Sequence, residues 1–284
     1  MKKILVTGAN GQLGRCLRDA ASSREQFEFY FADRSQLDVA SRDSVEAFFA
    51  NKQFDYCINT AAYTNVEKAE SEADAAFATN SLGVKSLAQA CKAQDITLLH
   101  VSTDYVFDGT KNTPYVETDP TAPLNVYGAS KLAGEEQVSS ICETYFVIRT
   151  SWLYCQYGHN FLNSMLRFAE EGRALSITTE QLGTPTNAND LALAMLGMIE
   201  ADTQAYGLYH FSNEGEGTWY DFAEAIFRHS NQLETVKLAK TEQYRTFAKR
   251  PAYSVLNKEK FANAFDVPLV HWEESLKQLI ENHK

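Results

Sequence analysis

The chain has 284 residues, of which 44% are hydrophobic and 22% are charged, and its formal net charge is −11. This is an ordinary globular composition, and an acidic chain lacks the basic footprint that neutralises phosphates in non-specific nucleic-acid binding. No window approaches the ~18 uninterrupted apolar residues of a membrane span, so we expect a cytoplasmic protein that binds neither nucleic acid nor a membrane.

The chain begins with a strand, a glycine turn and a helix. The apolar run from Lys3 to Thr7 predicts the strand, and a helix is predicted from Arg15 to Ser22. Between them, Gly8, Gly11 and Gly14 allow a tight turn and let backbone N–H groups approach a pyrophosphate at a positive helix end. The spacing of the three glycines is typical of the short-chain reductase variant of this dinucleotide fingerprint. We therefore expect Gly8, Gly11 and Gly14 to bind a cofactor.

A second predicted strand, Phe27 to Ala32, leads to the position that reads the cofactor ribose. Asp33 and Arg34 follow about 20 residues beyond Gly14, the separation expected for that position. An acidic residue suits the free 2′-hydroxyl of NAD, whereas an arginine suits the 2′-phosphate of NADP. Both interpretations remain open here, as does an exposed surface pair. Asp38, further on, is expected either to cap nearby backbone or to meet the adenine amine.

Two further strands carry the next candidate residues. Asp55 to Asn59 is predicted as the third strand, and the small residues after it would let backbone approach a flat ring. The stretch from Glu67 to Ala93, which includes Asn80, predicts one or two crossover helices. Ile96 to Val101 is nearly all apolar, as expected of a strand buried on both faces of a parallel sheet. This strand delivers Thr103 and its neighbours to the carboxyl edge, where open α/β sheets bind ligands.

The strongest catalytic candidates are Tyr127 and Lys131, which lie four residues apart in a predicted helix and so on one helix face. A nearby cation that lowers the pKa of a tyrosine from about 10 makes it useful as a general acid or base near neutral pH. The segment before this helix, from Phe107 to Leu124, holds most of the turn-forming residues and is predicted to be a loop over the site. Another strand is predicted from Thr144 to Arg149.

The alternation of strands and helices predicts an α/β protein with a Rossmann-type, doubly wound parallel sheet. Residues 1–150 would form the dinucleotide-binding domain. Beyond residue 150 the pattern loosens, and residues 151–284 would form mainly a smaller, closely packed C-terminal α+β substrate-binding region, with some elements returning to the sheet. Helices are predicted at Asn160 to Glu171, Asp190 to Glu200 and Thr218 to His229, and short strands at Leu175 to Thr178 and Gly207 to Phe211.

The order of these motifs resembles the extended short-chain dehydrogenase/reductase superfamily, and within it the dTDP-4-dehydrorhamnose reductase family. Three strings carry most of the resemblance: residues 59–70 (NTAAYTNVEKAE), 101–109 (VSTDYVFDG) and 149–154 (RTSWLY). The resemblance implies that Tyr127 gives a proton to a carbonyl oxygen, that Lys131 holds the nicotinamide ribose and that Thr103 hydrogen-bonds the substrate oxygen. It further implies sugar contacts from Thr103, Asp104 and Trp152, and cofactor contacts from Gly11, Gln12, Leu13, Asp38, Val39, Ala61, Ala62 and Tyr63. Arg250 is a candidate to neutralise the substrate diphosphate.

The implied activity is NAD(P)H-dependent reduction of the 4-keto group of a dTDP-sugar, dTDP-4-dehydro-β-L-rhamnose, to dTDP-L-rhamnose. The alternatives are a nucleotide-sugar epimerase or dehydratase that keeps NAD bound, and a non-catalytic NADP-binding regulatory subunit. Some family members are associated with magnesium and a carboxylate-bridged dimer, but the helix after Gly14 begins without an early carboxylate. The magnesium requirement and a homodimer therefore stay open, and no metal ligand is assigned. The five scattered cysteines, without a Cys-x-x-Cys pair, predict neither a disulfide framework nor a zinc site.

Overall fold

A six-stranded parallel sheet lies at the centre of the computed structural model, which describes residues 1–242 and 245–283. In chain order, the strands of this part of the chain are β1 (Lys2–Thr7), β2 (Phe27–Ala32), β3 (Tyr56–Asn59), β4 (Thr97–Thr103), β5 (Tyr145–Thr150), β6 (Leu153–Tyr154), β7 (Leu175–Thr178), β8 (Leu182–Gly183), β9 (Thr186–Asn187), β10 (Gly207–His210), β11 (Gly217–Thr218) and β12 (Leu238–Thr241).

Helices surround the sheet. The α-helices of the described residues are α1 (Gln12–Ala21), α2 (Arg42–Phe49), α3 (Val66–Ala69), α4 (Ala73–Phe77), α5 (Val84–Ala93), α6 (Val126–Ile141), α7 (Phe161–Glu170), α8 (Ala188–Glu200), α9 (Trp219–His229), α10 (Glu259–Ala264) and α11 (Trp272–Asn282). A π-helix, Ala78–Gly83, joins α4 to α5, and a 3₁₀-helix, Asp104–Val106, follows β4. Among these helices, none is both long enough and apolar enough to cross a membrane.

The order of the central sheet is β10-β5-β4-β3-β1-β2, so the order reverses next to β1, as in a doubly wound fold. Parallel pairing aligns the strand ends: Thr7 faces Asn59, and Thr103 faces Thr150. The last strand to join, β10, comes from the C-terminal half of the chain and pairs with β5. The carboxyl ends of β1, β3, β4 and β5 therefore meet at one edge of the sheet.

The sheet is buried on both faces, which explains the continuous apolar runs of its strands. On one face, α1 and α8 contribute Leu17 and Met195 to a core that includes Val6 of β1. On the other face, α2 and α5 contribute Val45 and Leu87. A one-residue slip of a strand would move each of its side chains from one core to the other. Packing in the two cores therefore fixes the register of the strands, and with it the position of the residues at their carboxyl ends.

The C-terminal half builds a smaller core of its own. Helices α7, α9 and α11 pack together around Phe222 and Trp272, both almost fully buried. The parallel pair β7–β12 and the antiparallel pair β8–β11 lie beside these helices. Helix α9 starts with a reciprocal capping box between Thr218 and Asp221, at the residue where the predicted helix begins.

Two sequence predictions differ from the structure. The stretch from Glu67 to Ala93 contains three short α-helices. Around Asn80 the backbone forms a π-helix, with hydrogen bonds five residues apart, and this π-helix joins the second α-helix to the third. The segment from Phe107 to Leu124 is a loop, but it does not cover the site. Instead, the ring of Tyr115 stacks on Phe107 with centroids 4.1 Å apart, and its backbone pairs with residues 255–257. Burial of this aromatic pair draws the loop to the flank of β10.

Candidate active site

The glycine turn after β1 forms a cradle that side chains would fill. Gly8 has φ +63°, and a Cβ atom there would lie 2.7 Å from the backbone nitrogen of Ala61. A Cβ atom on Gly14 would lie 2.6 Å from the carbonyl oxygen of Gly8. Helix α1 begins at Gln12, so its unpaired N–H groups face the cradle. A backbone concavity with a helix N-terminus fits the pyrophosphate of a dinucleotide.

A first cavity of about 440 Å³ opens beside this cradle. The predicted cofactor residues in its lining are Gly8, Gly11, Asp33, Arg34, Asp38, Val39, Ala61, Ala62 and Tyr63. Gly14 does not belong to this lining, and its role is to let α1 approach the turn closely. Gln12 and Leu13 line the neighbouring cavity instead. The nine lining residues come from β1, β2 and β3 and the segments after them, so the parallel sheet brings them together.

The two residues that could read the cofactor ribose differ in how they are held. Asp33 accepts hydrogen bonds from the hydroxyl and backbone N–H of Ser35, which lower the pKa of its carboxyl group, and from Asn10. The side chain of Arg34 is 84% exposed, and its Nε lies 3.3 Å from a carboxylate oxygen of Asp38. Asp38 also accepts a hydrogen bond from the N–H of Ala40, which is the backbone cap expected as one of its two roles. Arg34 is thus the more available of the two ribose-reading candidates.

A second cavity, of about 780 Å³, continues from the first and shares Gly11 and Ala62 with it. Its lining contains the remaining predicted cofactor, catalytic and substrate residues: Gln12, Leu13, Thr103, Asp104, Tyr127, Lys131, Trp152 and Arg250. Thr103 stands at the end of β4, and Tyr127 and Lys131 lie on one face of α6. The hydroxyl of Thr150, at the end of β5, lines the same cavity and has no hydrogen-bond partner among the described residues.

Burial dominates the electrostatics of the proposed catalytic residues. It raises the pKa of Tyr127 to about 12, against a smaller lowering by a hydrogen bond with Thr103. It lowers the pKa of Lys131 to about 8. The lowered tyrosine pKa expected from the Tyr-x-x-x-Lys spacing is therefore wrong for this structure, because desolvation of the phenolate outweighs the hydrogen bond with Thr103, the group that lowers this pKa. The phenol therefore carries its proton at neutral pH, as a proton donor must, and the raised pKa makes it a weaker acid than a free tyrosine.

Lys131 and Asp104 are each fixed by specific contacts. The ammonium of Lys131 donates a hydrogen bond to the carbonyl oxygen of Val101 at 2.6 Å. Asp104 accepts a hydrogen bond from the Thr103 hydroxyl at 3.0 Å, and burial raises its pKa to about 6. His100, on β4, is fully buried and contacts Asn59, so it is a packed histidine.

Sequence reasoning missed Trp219, whose ring supports that of Trp152 in the wall of the second cavity. Trp152 stacks face to face on Trp219, with ring centroids 3.7 Å apart and an interplanar angle of 7°. Trp152 has φ +44°, a conformation that costs free energy in a residue other than glycine. The indole N–H of Trp219 donates to Gln181, which holds the outer ring in place. The pair presents a flat, rigid apolar surface, and Trp219 could not be linked to Trp152 from the sequence because they belong to separate elements.

Glu67 and Asn80 were not predicted as site residues either. Glu67 pairs with Arg250 at 2.9 Å and accepts the backbone N–H groups of Phe247 and Ala248, so it holds the segment that carries Arg250. A sequence signal existed for Asn80, since asparagine is unfavourable inside a helix. The π-helix that contains it, a feature frequent at functional sites, became visible only in the structure.

The side chain of Asn80 links the two ends of the site. It exchanges hydrogen bonds with the backbone of Tyr63 and donates one to Ser130, whose hydroxyl donates to the carbonyl oxygen of Tyr127. Helix α6 can approach this closely because Gly134 has no side chain. A Cβ atom there would lie only 2.2 Å from the carbonyl oxygen of Asn80. The first cavity and the catalytic helix are therefore held in fixed relation.

A third cavity, of about 590 Å³, extends the second into the C-terminal half. His159, Asn160 and Arg250 line both. Its walls include Phe161, Phe168, Trp219 and the amide of Gln181. Together, the three cavities form a continuous cleft with apolar walls and a few polar groups, which is typical of a site for large organic ligands.

A doubly wound sheet with this cradle and a Tyr-x-x-x-Lys helix defines a dinucleotide-dependent reductase of the short-chain dehydrogenase/reductase class. The family described as RmlD substrate binding domain matches residues 1–284, and the chain belongs to it. A dTDP-4-dehydrorhamnose reductase of Aggregatibacter actinomycetemcomitans is 40% identical, with 98% of each chain covered. The crystal structure of dTDP-4-dehydrorhamnose reductase from Bacillus anthracis in complex with NADP has a TM-score of 0.93 at 36% identity, with 99% of each chain covered.

A more distant structure shares the fold. The UDP-glucose 4-epimerase of Thermus thermophilus, in complex with NAD, has a TM-score of 0.82 at 19% identity, and the alignment covers 98% of each chain. At that identity, the likeness extends to the fold alone.

Proposed function

We propose that the chain is an NADP(H)-dependent oxidoreductase that reduces the 4-keto group of dTDP-4-dehydro-β-L-rhamnose, giving dTDP-L-rhamnose. The observation that carries the proposal is the meeting of Thr103, Tyr127 and Lys131 at a cavity continuous with the glycine cradle. Membership of the family and full-length relatives with this activity in their names support the choice of substrate. NADP is the proposed cofactor because the Bacillus anthracis structure contains it.

In the proposed mechanism, the bound cofactor supplies a hydride to the carbonyl carbon of the sugar. Tyr127, which is protonated at neutral pH, donates its phenolic proton to the carbonyl oxygen. The Thr103 hydroxyl donates a hydrogen bond to the same oxygen as negative charge develops on it. Lys131 holds the nicotinamide ribose, and its ammonium stabilises the phenolate that Tyr127 leaves behind.

The substrate residues divide along the cleft. We assign Asp104 and Trp152 to the sugar, and Arg250, which lines both the second and the third cavity, to the diphosphate. The third cavity is assigned to the nucleoside, because aromatic walls suit a flat base and the Gln181 amide can pair with its polar edge. These assignments place the sugar next to Tyr127 and the base in the C-terminal half.

The proposed division of labour follows the same cleft. Residues 1–150 would bind the dinucleotide, and residues 151–284 would mainly bind the substrate. The lining of the first cavity, which comes from residues 8–79, and that of the third, from residues 159–250, support this division. The proposal also includes a cytoplasmic location and a homodimer, both of which rest only on the sequence. Light scattering on the purified protein measures the oligomeric state.

The deciding experiment is to incubate purified protein with NADPH and dTDP-4-dehydro-L-rhamnose and to measure loss of NADPH absorbance and formation of dTDP-L-rhamnose. We expect one NADPH to be oxidised for each product formed. An epimerase would interconvert nucleotide sugars without net consumption of cofactor. Cofactor binding with no turnover of any keto-sugar would instead indicate a regulatory subunit. Repeating the assay with NADH tests the alternative cofactor.

Replacing Arg34 by alanine should distinguish the two cofactors. We expect Arg34→Ala to weaken NADPH binding by roughly tenfold to a hundredfold, the effect of losing a charge-assisted contact to a phosphate, and to leave NADH binding unchanged. Binding is measured by titrating the fluorescence of each cofactor. Arg42→Ala is the matched control, because Arg42 is also exposed and pairs with a carboxylate four residues away, but it does not line the first cavity. Equal weakening of both cofactors would contradict a 2′-phosphate contact from Arg34.

A further inference from the structure

A buried ion pair lies directly beneath the second cavity. The side chains of Glu135, on α6, and Arg149, on β5, are 8% and 4% exposed. Arg149 donates two parallel hydrogen bonds to the carboxylate, at 2.9 and 2.7 Å. The hydroxyl of Ser102, on β4, donates a third, at 2.5 Å. A two-pronged guanidinium contact of this kind is strong and directional, so the carboxylate is held in one orientation.

Each member of this cluster is close in the chain to a residue of the cavity lining. Ser102 precedes Thr103, Arg149 precedes Thr150, and Glu135 lies one helical turn after Lys131. Since Lys131 donates to the carbonyl oxygen of Val101, consecutive turns of α6 contact consecutive residues of β4. The cluster therefore fixes the catalytic helix against the two strands that end at the site.

The charges around Lys131 show what the Glu135 carboxylate contributes. Burial lowers the pKa of Lys131 to about 8, and Glu135 is the group that raises it. His100 also faces Lys131, but burial lowers the pKa of this histidine far below its usual range, so it is neutral near pH 7. Among the described residues, Tyr127 and Asp104 line the second cavity together with Lys131, Glu135 lies one turn further along its helix, and His100 faces Lys131 from β4. Arg149, on β5, contacts the Glu135 carboxylate.

We propose that Glu135 is a positioning residue for the reaction: held by Arg149 and Ser102, its carboxylate keeps the ammonium of Lys131 charged and fixed against β4. This inference rests on the proposed function only in the role given to Lys131. If the Glu135 carboxylate only stabilised the fold, removing its charge and removing the charge of its partner Arg149 would have the same effect on the protonation of Lys131.

The direct test is the titration of Lys131 by nuclear magnetic resonance in protein labelled with [ε-¹³C]lysine, with the signal assigned by its loss in Lys131→Met. In Glu135→Gln we expect the pKa of Lys131 to fall by about one pH unit, because a neighbouring opposite charge has gone. In Arg149→Gln it should not fall, because Arg149 contacts the Glu135 carboxylate and that carboxylate is still present. Glu136→Gln is the matched control: Glu136 is the next residue of α6 but is exposed, and this variant should leave the pKa unchanged.

Steady-state kinetics supply the second readout. The alkaline limb of the kcat profile should move to lower pH in Glu135→Gln, so that kcat falls by about tenfold at pH 9 and by less at pH 7. Glu135→Asp, which keeps the charge, should retain the wild-type position of this limb. The titration needs no substrate, so an inactive wild type would count against the proposed function and leave the test of Glu135 intact.

The outcomes separate positioning from simple stabilisation. A fall of the Lys131 pKa in Glu135→Gln that Arg149→Gln does not share would support the inference. An unchanged Lys131 pKa in Glu135→Gln, or a fall in both variants, would overturn it. If either single variant fails to fold, Glu135→Gln combined with Arg149→Met removes both buried charges together, which folded proteins tolerate better than losing one. In that double variant, a Lys131 pKa below that of the wild type supports the inference, and an unchanged one overturns it.

Discussion

Tyr127→Phe should lower kcat for NADPH oxidation by roughly a hundredfold or more, the contribution expected of a positioned proton donor. The change removes the hydroxyl and keeps the ring, which packs edge to face on Tyr105 with centroids 5.9 Å apart. Because burial raises the pKa of Tyr127 to about 12, the wild-type phenol is protonated throughout the neutral range. The measurement is the initial rate of NADPH absorbance loss at saturating substrate for wild type and variant.

Tyr105→Phe is the matched control for this change. Tyr105 is also a buried tyrosine, but it does not line the second cavity, so its variant should keep the wild-type kcat. NADPH affinity and thermal stability should be unchanged in Tyr127→Phe, which would assign the loss to the chemical step. Equal turnover by wild type and Tyr127→Phe would rule out Tyr127 as the proton donor.

The sequence predicted those parts of the site that depend on local spacing. The glycine turn, the ends of β3 and β4 and the Tyr-x-x-x-Lys face each arise from a few consecutive residues next to a strand. A parallel sheet then brings all carboxyl ends to one edge, where residues as distant as Gly11 and Thr103 line the same cavity. The predicted strand Phe27 to Ala32 matches β2 because its flanking turns are equally local.

Contacts between elements that are far apart in the chain could not be predicted in this way. The Trp152–Trp219 stack, the Glu67–Arg250 pair and the Glu135–Arg149 pair each join residues from separate elements, and no periodicity links such partners. The spacing of residues in the sequence does not predict how deeply a side chain is buried either. Four residues along a helix place Tyr127 and Lys131 on one face, but the sign of the tyrosine pKa shift depends on how much water the surrounding fold excludes.

The second large effect is expected from a single methyl group on the catalytic helix. Gly128 follows Tyr127, and a Cβ atom there would lie 2.2 Å from the carbonyl oxygen of Tyr105. By helix propensity alone, alanine would stabilise α6 by about 1 kcal/mol. We expect the clash to outweigh that gain, because the obstacle is backbone, and overpacking of this kind costs about 1–3 kcal/mol. The free energy of unfolding, measured in urea, should therefore fall in Gly128→Ala.

The rate should fall more steeply than the stability. Helix α6 can relieve the clash only by moving away from residues 104–106, and a shift of about 1 Å in a catalytic group costs on the order of a hundredfold in kcat. Gly197→Ala is the control: that glycine is also helical, but its Cβ atom would meet a methyl group of the Val267 side chain, which can rotate aside. It should retain wild-type turnover, with little change in stability. Wild-type turnover in Gly128→Ala would instead show that α6 can shift without displacing the Tyr127 hydroxyl. In that case, close packing against Tyr105 does not set the position of the proton donor.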